Sequence, residues 1–467
     1  MDRINDVRLN QTYLSGAGQT APKKEAEATN QPPADKVELG GKSEDGAVKP
    51  HKKWLILNYI AADCNLTEFQ VGNVDQMEMI GSDANTHIAA IIDVGPKPAP
   101  LGFGKKGPAG EGDQQAPPTD PNTISWSGCR TLYVTKDDKM GQLNSEVIED
   151  HGLHVDMSSG DTMYKMISDA VKKFPADHVA VIFNDHGGGW TGAMSDESDG
   201  KFGKMPEIDA ALKKVKAETG KDIDIIGYDA CLMASTEVAY EHRNTAKILL
   251  ASEESEGGAG WTYNSMLGGR TMGEALQKVQ SNLYKVDVTP REFAKIIVDV
   301  NAEHNGDIPT FSATDLTKMD QLKSAVDGLA EAVIKTDDKD TVKNAINNSE
   351  NYGGGWDPYR DMRDLHQLST NIIETTKDDN LKKAATETVK AFEEAVFANE
   401  VNPQQHPNSK GLHIFAPTTS ALGPDYKELA FAKDSKWDEA VESLGVKFDP
   451  TKKGPKVWPD GSPRVQR

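Results

Sequence analysis

The sequence predicts an α/β fold on a mostly parallel sheet, and two observations carry that reading. First, Trp54 to Ile60 (WLILNYI) is a compact apolar run, and His87 to Val94 (HIAAIIDV) is another. Between them Leu66, Phe69, Val74, Met77 and Ile80 follow roughly helical spacing, with Gly81 as the stop. That order is a β-α-β unit, the signature of parallel pairing. Second, Val179 to Trp190 (VAVIFNDHGGGW) and Ile223 to Ala234 (IDIIGYDACLMA) are apolar runs that end abruptly in small and reactive residues. Runs of this length bounded by turn residues read as strands buried on both faces. Open α/β sheets carry their ligand sites at the carboxyl edge, so the two strands should deliver His186 and Cys231 to one place.

The remaining elements follow in order. Residues 1–50 are poor in aromatics and rich in Lys, Glu, Ala, Gly, Pro and Gln, a composition that cannot offset chain entropy and predicts a disordered tail. A core is expected over 51–285, interrupted by a Pro- and Gly-dense loop insertion at 96–123. Within it a short strand is expected at Thr131 to Thr135. Met163, Met166, Ile167, Ala170, Val171 and Phe174 then mark an amphipathic helix that Pro175 ends. Ser195 to Lys204 (SDESDGKFGK) reads as a polar loop, Pro206 to Lys216 as a helix, the residues after Cys231 as helical to about His242, and Lys247 to Ser252 as a strand. A Gly-rich loop, Glu253 to Tyr263, leaves that strand on the side of the expected site. Residues 286–450 read as an α-rich region, with apolar helices at Met319 to Val333 and Leu381 to Val396. Short strands are expected there at Thr310 to Thr314 and Gly411 to Phe415, and a long polar loop at Asp337 to Trp356. Residues 451–467 read as a flexible tail.

Composition narrows the function. With 52 basic and 73 acidic residues, the chain is a poor partner for nucleic acid or an anionic membrane. No stretch reaches the roughly 18 apolar residues of a membrane span. No secretory signal is visible at Met1 to Leu14, which points to a cytoplasmic protein or leaderless export. Cys64, Cys129 and Cys231 are too few and scattered for a disulfide framework or a zinc knuckle, and Cys64 and Cys129 read as packing residues.

A cysteine nucleophile needs thiolate character from an imidazole, a helix N-terminus or both. Cys231 sits where a helix is expected to start, and His186 lies upstream on the neighbouring strand end. Gly187 has no Cβ, so a substrate backbone can approach it; its N–H and that of Cys231 are the expected oxyanion hole. Each motif alone also has a plainer meaning, since a lone Cys after a strand is most often a small buried hydrophobe. The triple glycine is no phosphate loop, because no Gly-Lys-Ser/Thr follows it.

The two motifs, in this order and with these flanks, resemble the clostripain family of cysteine peptidases within the caspase-like clan. Lys53 to Leu66 (KWLILNYIAADCNL) is similar to the family's opening strand and turn, with Cys64 standing in for an Asn. Ala176-Asp177-His178, Asp229 to Met233 (DACLM), Ser252 to Tyr263, Asp364-Leu365 and Gly411 to Pro417 (GLHIFAP) also resemble family segments, in family order. The resemblance implies a caspase-like sheet flanked by helices and an α-rich C-terminal part. It also implies an endopeptidase with protein or peptide substrates, a Cys231–His186 dyad and a thioester intermediate.

It further implies cleavage after Arg or Lys, with Asp229 in the acidic pocket; the plainer role for Asp229 is a helix cap. A second pocket acid found in some members is absent just before Gly260; Glu253, Glu254 or Glu256 are the candidates to replace it, and the plainer role for all three is solvated loop charge. Self-processing between the two motifs is expected at Lys201 or Lys204. Some members depend on calcium. Asp196, Glu197 and Asp199 offer oxygen ligands without an EF-hand pattern, so Ca2+ is carried as a candidate cofactor and no metal ligand is assigned. Two alternatives stay open: a catalytically silent binding or regulatory module on the same scaffold, and a thiol acyltransferase or ligase of the same chemistry.

Overall fold

The computed structural model describes residues 48–95, 126–139, 141–263, 288–304, 308–353, 361–452, 456–457 and 463–464. Residues 1–47 of the expected tail, the insertion at 96–123, residues 354–356 at the end of the expected polar loop, and most of the residues after 452 lie outside them.

The first half of the chain supplies strands β1 (Lys52–Ala62), β2 (Thr86–Val94), β3 (Gly128–Tyr133), β4 (Glu146–Gly152) and β5 (Ala176–Asn184). A small hairpin follows, β6 (Ala193–Asp196) and β7 (Lys201–Gly203), then β8 (Ile223–Asp229), β9 (Ala246–Ala251) and β10 (Thr310–Asp315). Two-residue β11 (Asn351–Tyr352), β12 (Met362–Asp364), β13 (Val396–Val401) and β14 (His413–Phe415) complete the strands used below.

The main sheet has nine strands in the order β13-β10-β9-β8-β5-β1-β2-β3-β4. Its centre is parallel: β2, β1, β5, β8 and β9 pair in one direction. Its edges are antiparallel, with β3 and β4 on one side and β10 and β13 on the other. The sheet is buried on both faces because β1 alternates between two clusters. Leu55, Leu57, Tyr59 and Ala61 point into one, and Trp54, Ile56, Ile60 and Ala62 into the other. Helices α1 (Thr67–Glu78) and, later in the chain, Pro290–His304 cover the second cluster. Helices α2 (Gly160–Lys173) and α3 (Met205–Thr219), together with the C-terminal helices, cover the first. Each fully buried Ile, Leu or Phe on these faces contributes about 1.5–3 kcal/mol relative to exposure.

The structure departs from the sequence reading in several places. The third strand starts at Gly128 and runs antiparallel, and the edge strand β4 was not expected; its alternation Glu146, Val147, Ile148, Glu149 is too polar to announce itself. Ser195 to Lys204 is largely a hairpin, turned at Gly200 in the left-handed region (φ 63°). Lys339–Asn347 is a helix inside the expected loop, because Val342 and Ile346, four residues apart, bury one narrow face of a polar segment. After Cys231 only Thr236–Glu241 is α-helical. The helix at Leu365–Thr375 also went unread, although Asp364 caps it by accepting from the Gln367 N–H at 2.6 Å. The expected helices at Met319 to Val333 and Leu381 to Val396 form, as Met319–Lys335 and Asp379–Ala395, the latter giving way to β13 at Val396.

Candidate active site

Asn184 and Asp229 are register partners at the carboxyl ends of β5 and β8. His186 and Cys231 each stand two residues further on, so neighbouring parallel strands bring both to one edge of the sheet. The carboxyl end of β1 lies on the other side of β5 and supplies Asp63, Cys64 and Asn65.

His186 is partly buried, and its Nε2 lies 2.7 Å from Asn65 Oδ1. Asp185, beside it, is fixed from two sides: Oδ2 accepts from the Ser195 backbone and hydroxyl (2.8 Å for Oγ), and Oδ1 accepts from the Cys64 thiol at 3.2 Å. Burial pushes the Asp185 carboxyl up to about 7. Cys64 and Cys129 are both buried, Cys129 in the core as expected. Cys64 does more than pack, because it links the β1 loop to the residue preceding the histidine. Sequence alone does not single out Asn65 or Ser195 as supports of the histidine loop, because one lies within the opening motif and the other in a polar loop.

Cys231 is partly exposed, and the loop after β9 holds its sulfur. The Glu256 N–H donates to Sγ at 3.3 Å, and Sγ lies 3.6 Å from the Glu256 carbonyl oxygen. The expected helix dipole is absent at the cysteine: the helix begins at Thr236, and its N-cap is Ser235, which accepts from Glu237 N–H. Leu232 explains the gap, because its left-handed backbone (φ 67°) forces a turn where a helix would otherwise start. Burial, with the Glu256 carboxylate nearby, pushes the Cys231 thiol up to about 12, so this arrangement favours the thiol over the thiolate.

Gly187 packs directly on the nucleophile's backbone. A Cβ there would stand 2.3 Å from the Cys231 carbonyl oxygen and 3.0 Å from its nitrogen, a space only glycine can occupy. The glycine runs on either side of the pair therefore serve close approach.

Asp229 is buried, and its carboxylate caps no helix. It accepts from Asn184 Nδ2 (2.7 Å), the Trp261 N–H (2.9 Å) and the Tyr263 hydroxyl (3.0 Å). Of the three glutamates offered as a second acid, Glu256 is the one beside Asp229, and burial followed by the Asp229 charge raises its carboxyl. Asp229 itself is pushed up to about 7 by burial. Glu253 instead accepts from the Gly411 N–H, and Glu254 from the Gly353 N–H. Lys201 and Lys204 are both exposed, Lys201 beside the turn of the hairpin and Lys204 just after its base. Lys201 pairs with Asp156 at 2.6 Å, and Lys204 with Asp425 at 3.0 Å and Glu428 at 3.5 Å. Asp196 and Asp199 join carboxylate clusters next to this hairpin, whereas Glu197 joins neither.

Known proteins resemble this chain over most of its length. The clostripain family profile matches residues 58–444. Clostripain of Hathewaya histolytica is 23% identical over 424 residues, covering 79% of this chain and 75% of that protein. Among solved structures, the secreted C11 cysteine protease iotapain of Bacteroides thetaiotaomicron superposes with a TM-score of 0.56 at 13% identity, covering 82% of this chain and 99% of that one. An inactive zymogen C11 protease of Parabacteroides distasonis gives 0.54 at 17% identity, covering 83% and 99%. No helix among the described residues is long and apolar enough to cross a membrane. The profile match spans most of the chain, the neighbours share its caspase-like sheet, and the chain belongs to the clostripain family of cysteine peptidases.

Proposed function

We propose that this peptidase is an endopeptidase that cleaves after Arg or Lys, with Cys231 as nucleophile and His186 as its acid–base partner. The observation that carries the reading is the juxtaposition at the sheet edge: Gly187, next to His186, packs against the backbone of Cys231. In the proposed sequence His186 takes the thiol proton and Sγ attacks the scissile carbonyl. The N–H groups of Gly187 and Cys231 stabilise the oxyanion. Collapse of the tetrahedral intermediate breaks the C–N bond, His186 gives the proton to the leaving amine, and water then hydrolyses the thioester. Asn65 holds the imidazole through its Nε2 contact, a positioning role.

Asp229 and Glu256 support the basic preference. Two buried carboxyls beside the nucleophile share a proton when empty, Glu256 being the one raised by the Asp229 charge, and a guanidinium or ammonium entering between them would take that proton's place. Fluorogenic peptides differing only at P1 test this, with Arg and Lys expected to be cleaved fastest. Faster cleavage after Asn, Asp or an apolar residue overturns the assignment.

We also infer self-processing between the two motifs, at Lys201 or Lys204. Its support is the Glu256 backbone, which holds the Cys231 sulfur through its N–H and carbonyl, a contact that suits a latent precursor. The zymogen neighbour is consistent with maturation. Wild type should run as two fragments and Cys231→Ala as one chain; if both run intact, self-processing in the hairpin is wrong.

A further inference from the structure

Leu232, the residue after Cys231, is buried and carries a left-handed backbone (φ 67°) without being glycine. Such a conformation is costly for a side chain with a branched γ-carbon and persists only where the surroundings hold it in place. Here they hold it from both sides. The Leu232 N–H donates to the Glu254 carbonyl oxygen at 3.2 Å, in the loop after β9. The Leu232 carbonyl oxygen accepts from Nε2 of His413 at 2.8 Å, on β14 in the C-terminal region.

A carbonyl oxygen can only accept, so Nε2 of His413 carries the proton. The ring is fully buried, and among the described residues its Nδ1 has no hydrogen-bond partner. A second proton on Nδ1 would lack an acceptor, and burial holds the imidazole's pKa down to about 4. The ring is thus a neutral donor in one fixed tautomer. Its backbone is tied to the same segment: the His413 N–H donates to the Ala234 carbonyl oxygen at 3.0 Å, and Thr236 Oγ1 donates to the His413 carbonyl oxygen at 2.9 Å. Gly189 closes over the contact, since a Cβ there would stand 3.0 Å from the Leu232 carbonyl oxygen and 3.4 Å from His413 Cε1.

We propose that His413 is a positioning residue, whose Nε2–H locks the left-handed turn at Leu232 and so fixes the backbone and sulfur of Cys231 for attack. The inference rests on Cys231 being the nucleophile. The two hydrogen bonds at Leu232 grip the peptide units before and after it. Without the His413 donor, the peptide between Leu232 and Met233 can rotate and Leu232 can relax toward an ordinary φ. Gly187 lies against the Cys231 nitrogen and carbonyl oxygen, so a shift of the turn passes to the groups assigned to the oxyanion. His413 acts through the Leu232 carbonyl; the proton steps belong to His186 and Cys231.

The test compares the full-length chain with His413→Phe, which keeps a buried ring and removes the donor, and His413→Gln, whose amide nitrogen can reach the same carbonyl. Rates are measured on the peptide that the parent cleaves fastest, normalised to the cysteine titrated to completion by a peptidyl acyloxymethyl ketone. His413→Phe should lower kcat about 100-fold, the scale of a misplacement of about 1 Å, with KM within about threefold of the parent. His413→Gln should recover kcat to within about fivefold, since the donor is restored. A folded His413→Phe chain with unchanged kcat overturns the positioning role, and so does a His413→Gln chain as slow as His413→Phe. Histidine-selective 15N spectra of the Cys231→Ala chain test the hydrogen bond with His413 intact. The resonance missing from His413→Gln in that background should show a proton on Nε2 and a bare Nδ1 from about pH 5 to about pH 8. A proton on Nδ1, or a charged ring, overturns the proposal. Cleavage that survives in Cys231→Ala overturns the nucleophile and the positioning role with it, whereas cleavage lost there beside a full-speed His413→Phe overturns His413 alone.

Discussion

The carboxylates beside Cys231 and those beside the His186 loop solve the same electrostatic problem differently. Asp229 is surrounded by donors, from Asn184, Trp261 and Tyr263, which offset part of the burial that raises its carboxyl, while Glu256 presses a second acid against it. Asp93 receives no donor among the described residues and faces Asp63 and Asp196. The first arrangement sets two buried carboxyls against each other inside a ring of donors. The second sets three carboxylates together with fewer donors among the described residues, so acid clusters of similar composition differ in how their charge is met.

Substitutions that remove one acid from each cluster should separate them most sharply. Glu256→Gln should lower kcat/KM for Arg and Lys peptides by on the order of 100-fold, the scale of losing one partner of a desolvated charge pair. Asp93→Asn should leave the ranking of P1 residues unchanged. Equal loss of Arg preference in both variants would erase the distinction.

Stability should move in opposite directions. Asp229→Asn turns an amide into a ring of three donors and should cost about 1–3 kcal/mol in urea melts. Asp93→Asn should be neutral or stabilising, since it relieves repulsion from Asp63 and Asp196. Destabilisation by both would mean that Asp93 has a donor after all.

The pH dependence is a smaller effect. Burial places the folded Asp229 carboxyl at about 7, above its ordinary value of 3.8, so the folded chain holds a proton that the unfolded chain releases. That stabilisation is complete below about pH 4 and is lost as pH rises through about 7, on the order of 4 kcal/mol in total. Cys231→Ala should therefore be less stable at pH 8 than at pH 5, and Glu256→Gln in that background should flatten the slope. KM for Arg peptides should fall over the same interval, as the pair becomes anionic before substrate arrives.

Much of this was legible in the sequence because it rests on local pattern. The runs ending in His186 and Cys231 are long and apolar enough to be strands, and their order alone puts both at one edge. Glu256 was readable only as one of three glutamates, because its partner Asp229 is reached through a loop whose path no periodicity records. Asn65 and Asp93 gave no signal of their own: one sits in a turn, the other inside a strand that reads as apolar. The helix expected at Cys231 failed for a local reason, the left-handed Leu232, which sequence does not announce since non-glycine residues rarely adopt it. The edge strand β4 and the helix Lys339–Asn347 were hidden by polar residues that outnumber their narrow buried faces.

The most direct measurement of the proposed chemistry is covalent labelling of the mature protein with a peptidyl acyloxymethyl ketone bearing Arg at P1, followed by peptide mapping. One adduct is expected, on Cys231, abolished in Cys231→Ala and suppressed in His186→Ala. An adduct on Cys64 or Cys129, or labelling that survives in Cys231→Ala, would contradict the assignment of Cys231 as the nucleophile.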